Sequence, residues 1–164
     1  MNYTVVSTKF GWVTVCGSDK GLRSIVLPQP TREAAVTGLR DIAVDAIEDA
    51  GAFADLPQRL QRYFEGERVV FDDRLDFDEA TDFQKRVWDT TRGIPYGEVR
   101  SYSWVAERIG NPRAYRAVGG ALARNPFSII VPCHRVLTSG GSLGGFSGGV
   151  EMKKRLLELE AGIG

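Results

Sequence analysis

The chain of 164 residues is 43% hydrophobic and 26% charged, which excludes a disordered or fibrous protein and leaves room for a buried core in one domain or two small ones. No run approaches the roughly 18 apolar residues of a helical membrane span, and two cysteines, Cys16 and Cys133, are too few for a disulfide framework. The net charge of zero is unevenly spread: residues 1–81 carry 9 Lys and Arg against 14 Asp and Glu, residues 82–164 carry 12 against 7, so the second half is the one suited to a polyanion, unless the two halves simply attract each other. The start "MNYTVVSTKF" has neither the basic nor the apolar part of a secretory leader. Reduced cysteines in a cytoplasmic or nuclear protein are therefore expected.

In chain order, "YTVVS" and "GWVTVCGSDKGLRSIVLP" read as strands of an antiparallel meander punctuated by Gly11, Gly17, "SDKG" and Pro28. Residues 31–50 mix apolar and charged residues and suit a helix. "DLPQRLQRYFEGE" sets Leu56, Leu60, Tyr63 and Phe64 at helical spacings, and "RVVF" suggests a further strand. The acidic stretch "DDRLDFDEA" marks a crossover near residues 72–80, and the expected division is 1–77 and 78–164.

Beyond it the pattern is helical. Thr81 and Gln84 have the spacing of a capping box ahead of Phe83, Val87 and Trp88. "IPYGEV" is a turn, and "SYSWVAERIG" is a short helix stopped by Gly110. In "NPRAYRAVGGALARNP", Asn111 is the expected cap, Pro112 takes the first turn, and the helix ends before Asn125-Pro126. Two short helices joined through "GNP" make a helix-turn-helix, whose second helix meets DNA. That helix holds Ala114, Ala117, Gly119, Gly120, Ala121 and Ala123 between arginines. Each glycine costs about 0.8–1.0 kcal/mol of helix propensity against alanine, so a surface must approach its backbone closely, either a ligand outside or a helix inside. "SIIV" reads as a buried strand, "TSGGSLGGFSGG" as a glycine-rich loop, and "EMKKRLLELEAG" as a last amphipathic helix.

The only histidine follows Cys133 in "VPCHRV". Zinc needs three or four ligands and the second cysteine stands 117 residues earlier, so no metal is expected. A buried inert thiol and an activated nucleophile both remain open, because His134 and Arg135 are groups that favour a thiolate.

"IPYGEVRSY", "GNPRAYRAVGGALARNP", "IIVPCHRV", "GGFSGG" and "LLELE", in that order, resemble the O6-alkylguanine-DNA alkyltransferase family, closely over residues 81–161 and in length and element order over residues 1–80. The resemblance implies a ribonuclease-H-like α/β N-terminal domain and a mainly helical C-terminal domain with a winged helix-turn-helix. It implies the activity of a methylated-DNA–protein-cysteine S-methyltransferase without cofactor, consumed as it repairs: Cys133 takes the alkyl group of O6-methylguanine in duplex DNA. By the family pattern His134 is the base acting through a water, Glu160 orients the imidazole, and Asn125 braces the active-site turn. Arg116 fills the space of a base flipped through the minor groove, Tyr102 favours its rotation, and Ala117 and Gly119 keep the helix slim. Val136 offers a backbone acceptor to the exocyclic amine, Ser147 contacts O6, and Lys153 frames the pocket. Outside the family context Arg116 reads as a surface cation, Tyr102 as a core aromatic, Glu160 and Lys153 as solvated positions, and Ser147 as a turn residue.

Two positions depart from the pattern. Phe146 stands where tyrosine is frequent, and Tyr115 stands where a small alanine is common; Tyr115 alters groove fit, adds a DNA contact or points inward. The implied partner is double-stranded DNA, with O4-methylthymine as a further substrate, a monomer in solution, cooperation on DNA left open, and a location in the cytoplasm, at the nucleoid or in a nucleus. A lesion sensor lacking alkyl transfer is one alternative, against which the intact "PCHR" speaks. A cysteine hydrolase is another, in which the small-residue helix has no role.

Overall fold

The computed structural model describes residues 1–146 and 148–163. Contacts divide the chain into two compact units, one of Met1–Asp76 with Pro126–Ser128, the other of Phe77–Asn125 with the residues from Ile129 onward.

In the first unit, β1 (Asn2–Thr8), β2 (Gly11–Ser18) and β3 (Gly21–Gln29) form the expected meander. A fourth strand, β4 (Ile47–Glu48), pairs parallel to β1, giving the order β3-β2-β1-β4. Five successive residues of β2, Val13 to Gly17, are buried, so both faces of the central strand are covered. The β2–β3 turn requires Gly21: its φ is +139°, and a Cβ there would lie 2.5 Å from the Arg74 carbonyl oxygen. Helix α1 (Arg32–Arg40), capped by Thr31, packs Leu39 against Cys16 and Ala43. Helix α2 (Leu56–Phe64) buries Leu56, Leu60, Tyr63 and Phe64, as its spacing predicts.

Two expectations are corrected here. The helix proposed for residues 31–50 ends at Arg40, because Ile42 and Val44 face solvent and the Ile47 and Asp49 N–H groups bond to the Met1 and Tyr3 carbonyls at 2.9 and 2.8 Å. "RVVF" forms no strand. Its segment is held by side chains of α2 instead: Arg59 reaches both Asp73 oxygens at 2.7 Å, and the Phe71 ring lies 5.8 Å from that of Tyr63. Pro126–Ser128 belongs to this unit through the Ile25 N–H, which donates to the Pro126 carbonyl at 2.9 Å.

The second unit is mainly helical: α3 (Asp82–Arg92), α4 (Tyr102–Arg108), α5 (Tyr115–Ala123) and α6 (Val150–Glu160). The capping box of α3 is present, with the Gln84 N–H 3.1 Å from Thr81 Oγ1 and the Thr81 N–H 3.0 Å from Gln84 Oε1. Replacing Thr81 by alanine should lower stability by about 1 kcal/mol, read as a shift of the urea midpoint at constant m. Trp88 of α3 donates from its indole N–H to the Ala121 carbonyl of α5 at 3.0 Å. Helix α4 is capped by Ser101 and ends ahead of Gly110. Helix α5 starts three residues later than its expected first turn: Asn111–Ala114 form a turn, Ala114 is the N-cap, and Asn111 provides no side-chain cap.

The short strands β5 (Arg100–Ser101) and β6 (Val136–Leu137) pair in parallel, and residues of the glycine-rich segment after β6 line one cavity with residues of α4 and α5. "SIIV" is buried as expected but is not a strand. Ile129 adopts φ +76°, a left-handed conformation that a β-branched residue enters only at a cost, and the chain turns there on its way to Cys133.

Candidate active site

Cys133, His134 and Arg135 form a single 3-10 turn, with Pro132 at its N-cap. Successive side chains of such a turn diverge, and the consequence is visible in what each one meets. Cys133 lines a cavity of about 600 Å³, while His134 is fully buried against α6.

Behind Cys133 lie two sets of hydrogen bonds, one made by Asn125 and one gathered on Glu160. Asn125, just past the end of α5, donates from Nδ2 to Cys133 Sγ at 3.3 Å and to the Val131 carbonyl at 2.9 Å. His134 Nε2 is 2.6 Å from Glu160 Oε2 at the end of α6. Arg135 donates from Nε to Glu160 Oε1 at 2.7 Å, from Nη2 to Oε2 at 3.0 Å, and from Nη1 to the Ile94 carbonyl at 2.7 Å. The Gly97 N–H also donates to Glu160 Oε1, at 3.1 Å.

The protonation states follow from these contacts. Burial pushes the Cys133 thiol up, against the Asn125 hydrogen bond, the Lys153 charge and the backbone N–H groups of Cys133 and His134. Burial also pulls His134 below its ordinary value; Glu160 opposes this, while Arg135 and Lys153 add to it. Burial alone would raise the Glu160 carboxyl, but the hydrogen bonds from His134 and Arg135 outweigh it and hold the group well below the usual carboxylate range. At neutral pH the site therefore rests as thiol, neutral imidazole, carboxylate and guanidinium. A buried thiol beside a neutral base is a nucleophile that is made on demand.

On the far side of the cavity stand α4, α5 and the glycine-rich segment. Tyr102, Tyr115, Arg116, Gly119 and Phe146 all line it with Cys133. Tyr102 is half-buried, and burial raises its hydroxyl, with the Cys133 charge adding to the effect. Gly144 has φ +69°, and a Cβ there would sit 2.9 Å from the Tyr102 hydroxyl, so the segment reaches the tyrosine only without a side chain at this point. A Cβ at Gly119 would meet the Tyr102 ring at an ordinary 3.8 Å. Packing inside the domain thus does not demand glycine there, which favours an outside surface as the reason for it. Tyr115 is 45% exposed and does not point into the core. Ala117 is exposed on α5 and lies off the cavity wall.

Lys153, which helix position alone would leave solvated, is fully buried. Its ammonium donates to the carbonyls of Val136 at 2.7 Å, Gly145 at 3.3 Å and Leu143, and lies 5.8 Å from the centre of the Tyr102 ring. Burial lowers its pKa to about 8, against the pull of Cys133. Val136 is buried, and its carbonyl already serves Lys153 with one of two lone pairs. Ser147 lies outside the described residues. The fork of Arg135 on Glu160, with the Ile94 carbonyl and the Gly97 N–H, escaped sequence reasoning; the signal available was a cation adjoining the Cys-His pair and the turn "IPYGEV".

A helix-turn-helix unit with a cysteine at the wall of a cavity beside its second helix is the class of a DNA-directed group acceptor. Residues 82–162 match the DNA-binding domain of 6-O-methylguanine DNA methyltransferase, and residues 1–78 match its ribonuclease-like domain. The methylated-DNA–protein-cysteine methyltransferase of Methanosarcina barkeri is 41% identical over 160 residues, which span 98% of this chain and 97% of that one. Its counterpart in Mycolicibacterium paratuberculosis is 42% identical, with 98% and 92% covered. The structure of Mycobacterium tuberculosis OGT in complex with DNA is similar with a TM-score of 0.83 and 41% identity, covering 99% of this chain and 94% of that one. The chain belongs to the 6-O-methylguanine-DNA methyltransferase family.

Proposed function

We propose that the protein repairs O6-methylguanine in duplex DNA by moving the methyl group to Cys133, once per molecule. The observation that carries this reading is the thiol on the cavity wall, braced by the Asn125 N–H at 3.3 Å, with the His134–Glu160 pair behind it.

With Nε2 turned to Glu160, His134 takes up a proton at Nδ1, relayed from Cys133 Sγ by a water. The Sγ–carbon bond forms as the carbon–O6 bond breaks, and its electron pair passes to the guanine. The ring takes a proton from water and His134 returns its own to water, so guanine leaves neutral and the imidazole is neutral again. The product thioether has no hydrolytic exit, and the protein is spent.

O6 lies within the base stack, so the nucleotide must turn out of the helix. The minor groove is about 6 Å wide, and the slim flank of α5 at Ala117 and Gly119 suits it. Arg116, at the cavity rim, takes the place of the departed base, and Tyr102 guides the rotation. Phe146 supplies an apolar wall without a hydroxyl donor, Val136 an acceptor, Ser147 an O6 contact, and Lys153 the frame of the pocket. O4-methylthymine offers the same methyl carbon on an exocyclic oxygen and fits the same displacement. The protein acts as a monomer, wherever its DNA resides.

Intact-mass measurement after incubation with O6-methylguanine DNA should find one added methyl per protein, on Cys133, with no further turnover. Cys133→Ser should retain DNA binding and gain no methyl. Label elsewhere, or an unchanged mass with tight lesion binding, would overturn the reading. Tyr115→Ala should weaken binding to a lesion-bearing duplex about five- to tenfold, on the order of 1 kcal/mol for a lost aromatic contact; unchanged affinity in a titration would remove Tyr115 from the DNA face.

A further inference from the structure

Neither the proton relay nor the DNA-facing helix uses Arg135, although its guanidinium makes three hydrogen bonds in the site. Its guanidinium is buried, takes both Glu160 oxygens at 2.7 and 3.0 Å, anchors to the Ile94 carbonyl at 2.7 Å, and lies 5.7 Å from the centre of the Tyr96 ring. Nε and one terminal nitrogen therefore meet the carboxylate side by side, a fork that fixes its plane, while the other terminal nitrogen ties the pair to the turn after α3.

The placement matters because of what Glu160 would do alone. A buried carboxylate 2.6 Å from an imidazole stabilises the imidazolium. A histidine that already holds its proton cannot accept one from Cys133. We propose that Arg135 is a positioning residue of the transfer reaction: by occupying both oxygens of Glu160 it fixes the carboxylate against His134 and offsets its charge, so that Glu160 orients the imidazole without holding a proton on it. During thiolate formation one proton leaves Sγ and arrives at His134 Nδ1. The carboxylate then faces two cations, and the thiolate is the charge that balances the second. Arg135 thereby ties the imidazolium to the presence of the thiolate.

The groups that set the imidazole's charge are few. Cys133 and Arg135 flank it on the 3-10 turn, Lys153 and Glu160 face it from α6, and Tyr96 covers Arg135 from the turn after α3. Burial is the largest influence against the imidazolium; among the charged groups Glu160 favours it, while Arg135 and Lys153 disfavour it.

The inference rests on the reading of Cys133 as acceptor and His134 as its base, but its test does not need DNA. His134 is the only histidine, so its ring resonances can be followed by NMR without ambiguity. Two variants separate charge from shape: Arg135→Gln keeps a donor and loses the charge, and Arg135→Lys keeps the charge and loses the fork. The His134 midpoint should rise by about one unit in Arg135→Gln and stay within a few tenths of the parent in Arg135→Lys. In single-turnover methyl transfer the acid limb should move up by the same amount in Arg135→Gln, because the rate requires the neutral ring and is lost as pH falls through its midpoint.

A His134 midpoint unmoved in Arg135→Gln, or moved equally in both variants, would overturn the proposal and leave Arg135 a structural ion pair. If Arg135→Gln does not fold, a shift of a unit or more in Arg135→Lys alone overturns it, and an unmoved midpoint there with transfer slowed at every pH supports it. Failure of methyl transfer in the parent protein, with the His134 titration as described, would instead sink the functional reading.

Discussion

Replacing Glu160 by alanine is expected to abolish methyl transfer and to cost about 3–5 kcal/mol of folding stability, the range for breaking a buried ion pair by removing one partner. The carboxylate accepts from His134, from two nitrogens of Arg135 and from the Gly97 N–H, and it is only 7% exposed. Its loss leaves a buried guanidinium held by its hydrogen bond to the Ile94 carbonyl. Glu160→Gln keeps the volume and one acceptor, and should lie between the parent and Glu160→Ala in urea unfolding. The pH dependence has a definite sign. The folded carboxyl titrates well below the unfolded one, so its contribution is present in full above the unfolded value of about 4.3 and is lost as pH falls from there toward the folded value. The stability gap between parent and Glu160→Ala should therefore be constant near neutrality and shrink in acid. His134 acts in the same direction at a higher pH. Its folded value is lowered, so below about 6.5 the unfolded chain binds a proton that the fold resists, and stability declines. A gap that widened in acid would contradict the assignment of Glu160 as an ionised, doubly bonded carboxylate.

What the sequence made legible divides along a physical line. Elements set by local chemistry could be read directly: the Thr81–Gln84 capping box, the apolar spacing of Leu56, Leu60, Tyr63 and Phe64, and the stop at Gly110. Features decided by partners distant in sequence could not. Residues 41–50 leave the helical pattern because β1 supplies hydrogen-bond partners to Ile47 and Asp49. "SIIV" has the composition of a strand, yet its course is set by the turn at Ile129.

The site followed the same rule. Cys133, His134, Glu160 and Asn125 were placed together through the family motif, and the structure pairs Asn125 with Cys133 and His134 with Glu160. No periodicity could have set Arg135 on Glu160, 25 residues away, or the Gly97 N–H on the same carboxylate from 63 residues away. Lys153 was placed at the pocket by the family motif alone. On a helix rich in charge it reads as solvated, and only the fold reveals three carbonyls converging on its ammonium.

Lys153→Met is the second large effect. Methionine keeps the length and the apolar stem and removes the charge. Two opposing terms then change at once: the carbonyls of Val136, Leu143 and Gly145 lose a donor, at about 1–3 kcal/mol for each one left unsatisfied, while the cost of burying an ammonium disappears. Near pH 7 these terms offset in part. Their pH dependence separates them. The folded pKa of about 8 lies below the unfolded value of about 10.4, so between these limits the unfolded chain holds a proton that the fold has released, and this group makes stability rise with pH. Relative to Lys153→Met, the parent should gain up to about 3 kcal/mol over that window, from 1.36 kcal/mol per pH unit. Urea unfolding of both proteins at pH 8 and pH 10 reads the difference, in which the contributions of Cys16, Cys133 and Tyr102 largely cancel. A parallel course for the two proteins would mean that Lys153 is not a buried titrating ammonium. Transfer should respond with the opposite slope. The ammonium favours the Cys133 thiolate and is present below about pH 8, so the parent should react faster than Lys153→Met at pH 7, and the advantage should fade as pH rises through that value. On this expectation one residue favours the thiolate in the range where its own charge burdens the fold, an exchange of stability for function.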